Sequence, residues 1–470
     1  MESDAVVRRV EQQRGFLTDL SMDLWNRPEL GLAEHESSDR LREALRAEGF
    51  EVDAAIGGMP TAFVARYGDG GPTVGILGEF DALPGLSQEV AAERKPIAEG
   101  EPGHGCGHNL LGVAGVGAAI ALKDAIDDGE LDGSVAYFGC PAEETLVGKV
   151  FMAREGVFDD LDAALTWHPG RYNSPFMSST LSLNSVRYEF SGESAHAAAS
   201  PESGRSALDA VQLCNTGVEY MREHVPDDAR VHYSIVDGGD APNVVPANAT
   251  VWYFVRAPER ETVEDIQAWL DDIADSAATM TRTDVEREFL TGCHGVLPNE
   301  TIGEVMSERM EGLDAIPYTD DDRAFAADLK ASLSRETIDG QLADLPSDVF
   351  EEVDSHALYT EPLPAYDAGT TRSGSTDVGD VSRIVPLGQF WAATWPVGTN
   401  AHSWQAVAAN GSFAAKGMVY AAKVLAGTAA ELLSDPETLR AVREEFEENG
   451  GGGYETPLPE SVASPPEPSD

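Results

Sequence analysis

A short glycine-rich segment of the chain carries three side chains that bind soft or borderline metal ions. Residues 103–112 read GHGCGHNLLG, in which His104, Cys106 and His108 alternate with glycines. Alternate side chains of an extended segment point the same way, and glycine lets the backbone bend closely. The spacing indicates a metal site, with a glycine-rich turn that carries incidental histidines as the alternative.

Further metal-binding and acid–base side chains fall at the carboxyl ends of predicted strands, where open α/β sheets bind their ligands. Asp81 ends one strand in GEFDALPG, and His168 ends another in LTWHPG. Glu143 and Glu144 follow a third strand in FGCPAEETLVG. Because a carboxylate near the interior needs a partner, one glutamate as metal ligand and the other as general base would explain the pair. His402, in GTNAHSWQ just before a predicted helix, adds another imidazole.

The elements that must position these residues alternate between strands and helices. Helical apolar spacing runs from about Val6 to Glu48, and four strand-like runs follow: TAFVARYG, PTVGILGEF, GSVAYFGC and AALTWH. Between them NLLGVAGVGAAIALKDAI predicts a buried helix. This order predicts an α/β domain with helices on both faces of the sheet, whose first part is residues 1–182.

A smaller unit is predicted to interrupt this domain. Residues 183–292 show a β-α-β-β-α order, completed by a strand near DVEREFLTG, which is typical of a ferredoxin-like α+β domain. Residues 293–446 return to helices and form the second part of the first domain. Residues 447–470 are acidic and rich in Gly and Pro, which predicts a disordered tail.

The charge balance of the chain is far from neutral. Its 470 residues include 82 acidic and 32 basic side chains, for a formal net charge of -50. The acids are spread along the whole chain, which is typical of adaptation to concentrated salt, with an acidic partner-binding surface as the alternative. Nucleic acid and anionic membranes are excluded as expected partners, because contacts to phosphate need clusters of Lys and Arg.

Cysteine usage and the first residues bear on the compartment. The four cysteines lie far apart without a C-x-x-C pair, which argues against a disulfide scaffold and for a reducing compartment. The start, MESDAVVRRVEQQRG, has acids where a signal peptide needs a basic and then an apolar run. No apolar stretch is expected to reach the length of a membrane span. We therefore expect a soluble cytoplasmic protein.

Six motifs, in this order, resemble the amidohydrolase branch of the aminoacylase and carboxypeptidase G metallopeptidase family. They are GHGCGHNLLG, CPAEE, WHPG, SGESAHAAASPESGRSALDA, GGDAPNVVPANA and NAHSWQ. The resemblance extends from about Phe16 to Leu425. It implies a mixed-sheet catalytic domain like that of the zinc peptidases, with an inserted lid and dimerisation domain and the scissile amide cleaved between them.

The same resemblance implies roles for the candidate residues. It makes five side chains the metal ligands, with the thiolate able to bridge two ions: Cys106, His108, Glu144, His168 and His402. Glu143 becomes the general base on a metal-activated water. Asp81 is expected to orient the ligands rather than to bind metal, and direct ligation by His104 is not favoured.

In the inserted domain, His196 resembles the histidine that reaches the active site of a partner subunit. Asn243 and Arg256 match polar residues that bind the carboxylate or carbonyl of the substrate, with a turn and a salt bridge as their alternatives. The segment GSTDVGD carries three residues that are more typical of a turn and a helix cap than of catalysis: Ser375, Thr376 and Asp377.

The function implied is a metal-dependent amidohydrolase that cleaves N-acyl or N-aroyl amino acids, with aminobenzoyl-glutamate-like substrates favoured. A dipeptidase or deacylase of other specificity is the alternative, and a non-catalytic metal-binding or assembly subunit is a third reading, against which the intact Glu143 argues. Two divalent ions are expected, zinc first, with manganese, cobalt and nickel open. The expected partners are a small amide or dipeptide substrate and a second copy of the chain, or a paralogous subunit in a heteromer.

Overall fold

The structure is a computed structural model that describes residues 2–467. The first segment of the larger domain contains α1 Glu2–Gln12, α2 Arg14–Trp25, α3 His35–Ala47, β1 Glu51–Ala54, β2 Phe63–Tyr67, β3 Thr73–Glu79, α4 His108–Asp127, β4 Ser134–Cys140, α5 Gly148–Arg154, β5 Ala163–Leu165, β6 His168–Gly170 and β7 Ser174–Pro175. The chain then forms a smaller domain with β8 Ser182–Ser191, α6 Ala207–Met221, β9 Arg230–Asp237, β10 Asn248–Ala257, α7 Arg260–Thr281 and β11 Asp284–Cys293. The second segment of the larger domain contains α8 Glu300–Gly312, α9 Asp320–Ala331, α10 Arg335–Gln341, α11 Ser347–Asp354, α12 Val378–Ile384, β12 Leu387–Gly388, β13 Phe390–Ala393, α13 Trp404–Asn410, α14 Ala414–Ser434 and α15 Pro436–Glu448.

The larger domain is built on a six-stranded mixed sheet in the order β1-β2-β4-β3-β5-β12. Strands β4, β3, β5 and β12 are parallel, whereas β1 and β2 are antiparallel to their neighbours. A second, three-stranded sheet has the order β6-β13-β7. Pairing of β5 with β12 and of β6 with β13 joins the two chain segments into one domain. The predicted mixed-sheet α/β fold is confirmed.

Helix α4 packs closely on this sheet because its sequence is rich in Gly and Ala. A Cβ atom added at Gly112 would lie only 2.7 Å from the carbonyl oxygen of Glu79 at the end of β3. The close approach brings the start of α4 beside the carboxyl end of that strand. The helix begins after Gly107, which has a left-handed backbone with φ of 82°.

The length and hydropathy of α4 would also allow it to cross a membrane. An 18-residue window within this 20-residue helix has a mean hydropathy of 1.4, but 83% of the window is buried inside the protein. The expectation that no apolar stretch reaches the length of a membrane span is therefore wrong as to length. Burial between the sheet and α14 explains the apolar composition instead.

The smaller domain is a four-stranded antiparallel sheet in the order β11-β8-β10-β9, packed against α6 and α7. The chain order β8-α6-β9-β10-α7-β11 gives the ferredoxin-like arrangement that the sequence predicts. Alternate side chains of β10 are buried, as expected for a sheet with one face against helices. We refer to this domain as the lid.

Residues 449–467, after α15, form no helix or strand, yet they pack against the larger domain. The carbonyl of Val462 accepts a hydrogen bond of 2.6 Å from Arg154, and the Tyr454 hydroxyl donates one of 3.1 Å to buried Asp380. Leu458 is only 5% exposed. The predicted disorder is therefore wrong for these described residues, because single apolar and aromatic side chains anchor a segment of otherwise polar composition. Residues 468–470 lie outside the described part of the chain.

Candidate metal centre and active site

The candidate site lies where the carboxyl ends of the parallel strands meet the start of α4. Strand β3 ends at Glu79, and a turn of 3-10 helix over Glu143–Thr145 follows β4. His168 follows β5, and His108 is the first residue of α4. His402 arrives from the loop before α13, so five separated segments converge on one place.

The five expected ligands form two groups that share one sulfur, and a third group of candidate donors consists of Glu79, His108 and Glu143. Cys106 groups with His108 and His168, and it also groups with Glu144 and His402; within each group the candidate ligand atoms lie within 4.8 Å of one another. The Cys106 Sγ atom is 3.3 Å from Nε2 of His168, and His402 Nε2 is 3.2 Å from a carboxylate oxygen of Glu144. The structure therefore brings together all five residues that the sequence predicts as ligands.

The chemistry of this donor set fits divalent metal ions. Among the described residues, Nε2 of His108 and Oε1 of Glu144 are buried without a hydrogen-bond partner, although buried polar atoms are nearly always paired. Cys106 and Glu144 raise the pKa of His402 to about 10, which shows that the cluster attracts positive charge. Sulfur, imidazole nitrogen and carboxylate oxygen are together the ligands of zinc and similar metals.

Asp81 orients two of these side chains. One of its carboxylate oxygens lies 2.8 Å from Nδ1 of His108, and the other accepts a hydrogen bond of 3.0 Å from the backbone N–H of Glu144. Burial lowers the pKa of His108, but Asp81 and Cys106 outweigh it and bring the pKa well above its ordinary value. Nδ1 is thus occupied by Asp81 and Nε2 faces the cluster, which is the arrangement of an oriented metal-binding histidine.

Glu143 lies beside the cluster as a mostly buried carboxyl group with a side chain that is 13% exposed. Its Oε1 accepts a hydrogen bond of 2.7 Å from the hydroxyl of Thr376, and its Oε2 is 3.9 Å from Nε2 of His108. Burial, with a contribution from the nearby charge of Glu79, raises the pKa of Glu143 to about 8. A carboxylate with this affinity for a proton can serve as a general base near neutral pH.

Strained backbone accompanies the site. The turn that carries both glutamates is bounded by Ala142 and Leu146, with φ of 54° and 59°, and His402 has φ of 59°. Left-handed backbone costs a residue with a Cβ atom about 1 kcal/mol or more and is concentrated at functional sites. The observed strain agrees with the placement of the site at these loops.

Sequence reasoning missed a buried ionic network next to the ligands. The Nζ atom of fully buried Lys149 lies 2.8 Å from Glu79 and also donates to Asp377, whose other oxygen accepts the backbone N–H of Lys149 at 2.8 Å. Glu79 in turn lies 3.4 Å from Nε2 of His108. Asp377 and Thr376 are therefore parts of the site, whereas the sequence favours turn and cap roles. The one sequence feature that indicates the network is Glu79, a glutamate at the end of an apolar strand, because a buried carboxylate needs a partner.

A cavity of about 1040 Å³ opens beside the cluster. Its wall includes four of the five candidate ligands, three aromatic rings and one arginine of the lid: Cys106, Glu144, His168, His402, Phe176, Trp391, Trp395 and Arg256. The Arg256 guanidinium lies 4.8 Å from the ring of Phe254, and its buried Nε has no hydrogen-bond partner among the described residues. Arg256 is thus placed where a ligand of the cavity would meet it.

His196 and Asn243 lie together on the lid but away from the cavity of their own chain. Both are exposed, and the carbonyl of Asn243 accepts the backbone N–H of Ala197 at 3.0 Å. His104 is in the core: its Nε2 lies 3.2 Å from the carbonyl of Leu24, and burial lowers its pKa to about 3. Of the histidines in the glycine-rich segment, only His108 faces the cluster.

Comparisons with known proteins agree with the fold and the site. Residues 180–280 match the family described as the peptidase dimerisation domain. The chain is 40% identical to one subunit of the p-aminobenzoyl-glutamate hydrolase of Escherichia coli, over 97% of both chains, and 29% identical to the Xaa-Arg dipeptidase of Mus musculus, over 93% and 90%. A dinuclear metal-binding peptidase of the M20 family from Bacillus subtilis has the same fold, with a TM-score of 0.56 and 17% identity over 90% of this chain and 99% of that one.

These similarities settle the class of the protein. The chain belongs to the M20 family of metallopeptidases and amidohydrolases. It is a metal-dependent amidohydrolase, as its resemblance to that family implied. The reading as a non-catalytic binding subunit is not favoured.

Proposed function

We propose that this amidohydrolase cleaves the amide bond of N-acyl and N-aroyl amino acids, with aminobenzoyl-glutamate-like compounds as favoured substrates. The observation that carries the proposal is the mostly buried carboxyl group of Glu143, held by Thr376 beside a cluster of candidate metal ligands. The name of the Escherichia coli relative supports the choice of substrate.

Two divalent ions would bind to the donors, with Cys106 shared between them. One ion would be held by His108 and His168, and the other by Glu144 and His402. Zinc is the first choice for a thiolate and three imidazoles, with manganese, cobalt and nickel as alternatives. When bound, such ions lower the pKa of water and polarise the scissile carbonyl.

Side chains of the protein would transfer the proton, orient the ligands and bind the substrate. Glu143 accepts the proton of the attacking water through Oε2 and returns it to the leaving amine, while Thr376 keeps Oε1 in place. Asp81 keeps His108 and Glu144 oriented. Arg256 binds the carboxylate of the substrate from the lid side of the cavity. Asn243, which lies outside the cavity of its own chain beside His196, would contact the substrate only in the cavity of a partner subunit.

The position of His196 supports an assembly of two subunits. In one chain this exposed histidine lies outside the cavity, so we propose that it enters the site of a partner subunit, where it stabilises the charge that develops on the carbonyl oxygen. A homodimer is the simplest arrangement. A heteromer with a paralogous subunit is the alternative, since the Escherichia coli relative is named as one subunit of its hydrolase.

The cellular setting is also a proposal. The net charge of -50 supports adaptation to a salt-rich interior, and four free, buried cysteines are in keeping with a cytoplasmic location.

Hydrolysis assays with the metal-loaded protein test the proposed function. Purified protein is incubated in molar potassium chloride with Zn²⁺, Mn²⁺, Co²⁺ or Ni²⁺, and p-aminobenzoyl-glutamate is compared with dipeptides that end in arginine. We expect p-aminobenzoic acid to be released with at least one of the metals and lost on chelation. Hydrolysis of the dipeptides alone would contradict the proposed substrate class.

A further inference from the structure

Two arginines in the cavity wall have no role in the chemistry described above. We infer that Arg171 and Arg372 form a second anion site, which binds the side-chain carboxylate of a dicarboxylic amino acid while Arg256 binds its α-carboxylate. The inference rests on the proposed function, because it names the class of amino acid that is released.

Arg171 is a partly buried cation whose hydrogen-bonding capacity is mostly free. One of its terminal nitrogens donates to the carbonyl of Thr399 at 3.2 Å, but its buried Nε has no hydrogen-bond partner in the described part of the chain. Within residues 2–467, no carboxylate lies within the 4.0 Å ion-pair distance of Arg171. In a chain with 82 acids and 32 bases, an unpaired guanidinium inside a cavity is well suited to an anionic ligand.

Arg372 is held in a defined position in the wall of the same cavity. Its Nε lies 3.3 Å from Asp367, a buried carboxylate that also accepts the hydroxyl of Ser178. The guanidinium lies 5.6 Å from the ring centroid of Trp391 and 5.8 Å from that of Phe176. A second acid, Asp344, is 3.6 Å away but is 64% exposed, so solvent screens that pair.

The two arginines line one cavity and carry charges of the same sign. Burial lowers the pKa of Arg171, and the charge of Arg372 lowers it further, against the opposite effects of Tyr172 and Asp344. Their mutual repulsion would be relieved by a carboxylate between them. Two guanidinium groups can each make paired N–H···O contacts to such a group.

The distance from the metal-binding cluster fits a second carboxylate on the released amino acid. The ring of His168 packs edge-on against Trp391, with centroids 5.1 Å apart. The guanidinium of Arg372 lies over the ring of the same Trp391. One indole therefore separates the donors that face the scissile amide from the proposed anion site. A glutamate or aspartate side chain places its carboxylate a few bonds from that amide.

The surface charge makes a local cation site necessary for such a substrate. A protein with a net charge of -50 repels dianions, and only high salt reduces this repulsion at long range. Three arginines line the cavity, namely Arg171, Arg256 and Arg372. Away from the metal centre the wall also contains two acids, Asp344 and Asp367, which both lie beside Arg372, so Arg171 and Arg256 are the cations of the wall without a carboxylate at ion-pair distance among residues 2–467.

The test compares two amides of the same shape, 4-aminobenzoyl-glutamate and 4-aminobenzoyl-glutamine, with metal-loaded protein. We expect the wild type to prefer the glutamate compound in kcat/KM by about tenfold or more, since a built polar site rejects an analogue that lacks its partner charge. Arg171→Gln and Arg372→Gln should each reduce this ratio by about tenfold through KM, and Arg171→Lys should restore part of it. Arg46→Gln, at an exposed helix position, is the matched control and should keep the ratio.

Binding provides a second readout that does not depend on turnover. In the Glu143→Gln background, calorimetric titration of the same two amides should show the glutamate preference, and Arg171→Gln or Arg372→Gln should remove it. If the folded variants keep the wild-type ratio in both assays, the anion site is not formed by these arginines. If the wild type cleaves both amides equally, the inference fails while the proposed function stands. If it cleaves neither, the proposed function fails.

Discussion

The hydroxyl of Thr376 donates a hydrogen bond of 2.7 Å to Oε1 of Glu143, across 233 positions of the chain. The bond occupies one carboxylate oxygen and leaves the other near His108. Thr376 lies in the loop before α12, so the orientation of the proposed base depends on the second segment of the larger domain.

Replacement of Thr376 tests this relationship. Thr376→Val keeps the shape but removes the donor, and a hydrogen bond to a charged group contributes about 1.5–3 kcal/mol. We expect kcat to fall by about tenfold or more, with metal content unchanged, while Thr376→Ser retains most of the activity. Equal kcat for the Val and Ser variants would show that the hydroxyl does not orient the base.

Glu143→Gln tests the base itself. The amide keeps the size of the side chain but cannot accept the proton, while the five donors remain in place. We expect metal content to match the wild type and turnover to be lost. Turnover within about tenfold of the wild type would refute the assignment.

Removal of single donors tests the ligand set. Cys106→Ala should reduce the content of both ions, because its sulfur belongs to both donor groups, whereas His402→Ala should reduce that of one ion. Elemental analysis of the purified proteins gives the stoichiometry, with His356→Ala at an exposed site as the control. Unchanged metal content in either variant would remove that residue from the ligand set.

Complementation tests whether His196 acts on a partner subunit. Chains with His196→Ala and chains with Glu143→Gln, each nearly inactive alone, are mixed under conditions that allow subunit exchange. A mixed dimer has one site in which both residues are intact, so activity should return. If mass measurement confirms exchange and no activity returns, His196 does not act across the interface.

Salt dependence tests the interpretation of the charge. With a net charge of -50, mutual repulsion of surface acids should destabilise the fold in dilute buffer, and screening should raise the Tm as potassium chloride approaches molar concentration. Calorimetry over a salt series measures the effect. A Tm that is the same in dilute buffer and in concentrated salt would contradict salt adaptation.

Local motifs were sufficient to predict the donor cluster, because each donor lies at the end of a strand or the start of a helix that its own neighbours define. Cys106 and His108 are two positions apart, and Glu143 and Glu144 are adjacent. Parallel strands then bring their carboxyl ends together, so a pattern of local elements predicts the meeting of distant residues.

The ionic network of Glu79, Lys149 and Asp377 could not be predicted in this way. Asp377 and Lys149 are 228 positions apart, and nothing in either segment specifies the other. Glu79 completes an apolar run that by itself predicts only a buried strand. The partners of these buried charges are set by the packing of the whole domain. The same holds for the contact of Tyr454 with Asp380 in the terminal segment.

The lid is joined to the larger domain by two chain crossings that lie side by side. Leu183, at the start of β8, pairs with Cys293, at the end of β11. Arg260 donates to the carbonyl oxygens of both residues, at 3.0 Å and 3.3 Å. Two crossings held side by side form a line about which a domain would rotate if its other contacts opened, such as the bond of 2.6 Å from the Thr291 hydroxyl to the carbonyl of Leu146. Any swing of the lid would therefore carry Arg256 toward or away from the cavity, so that access of substrate and completion of the binding site become one motion.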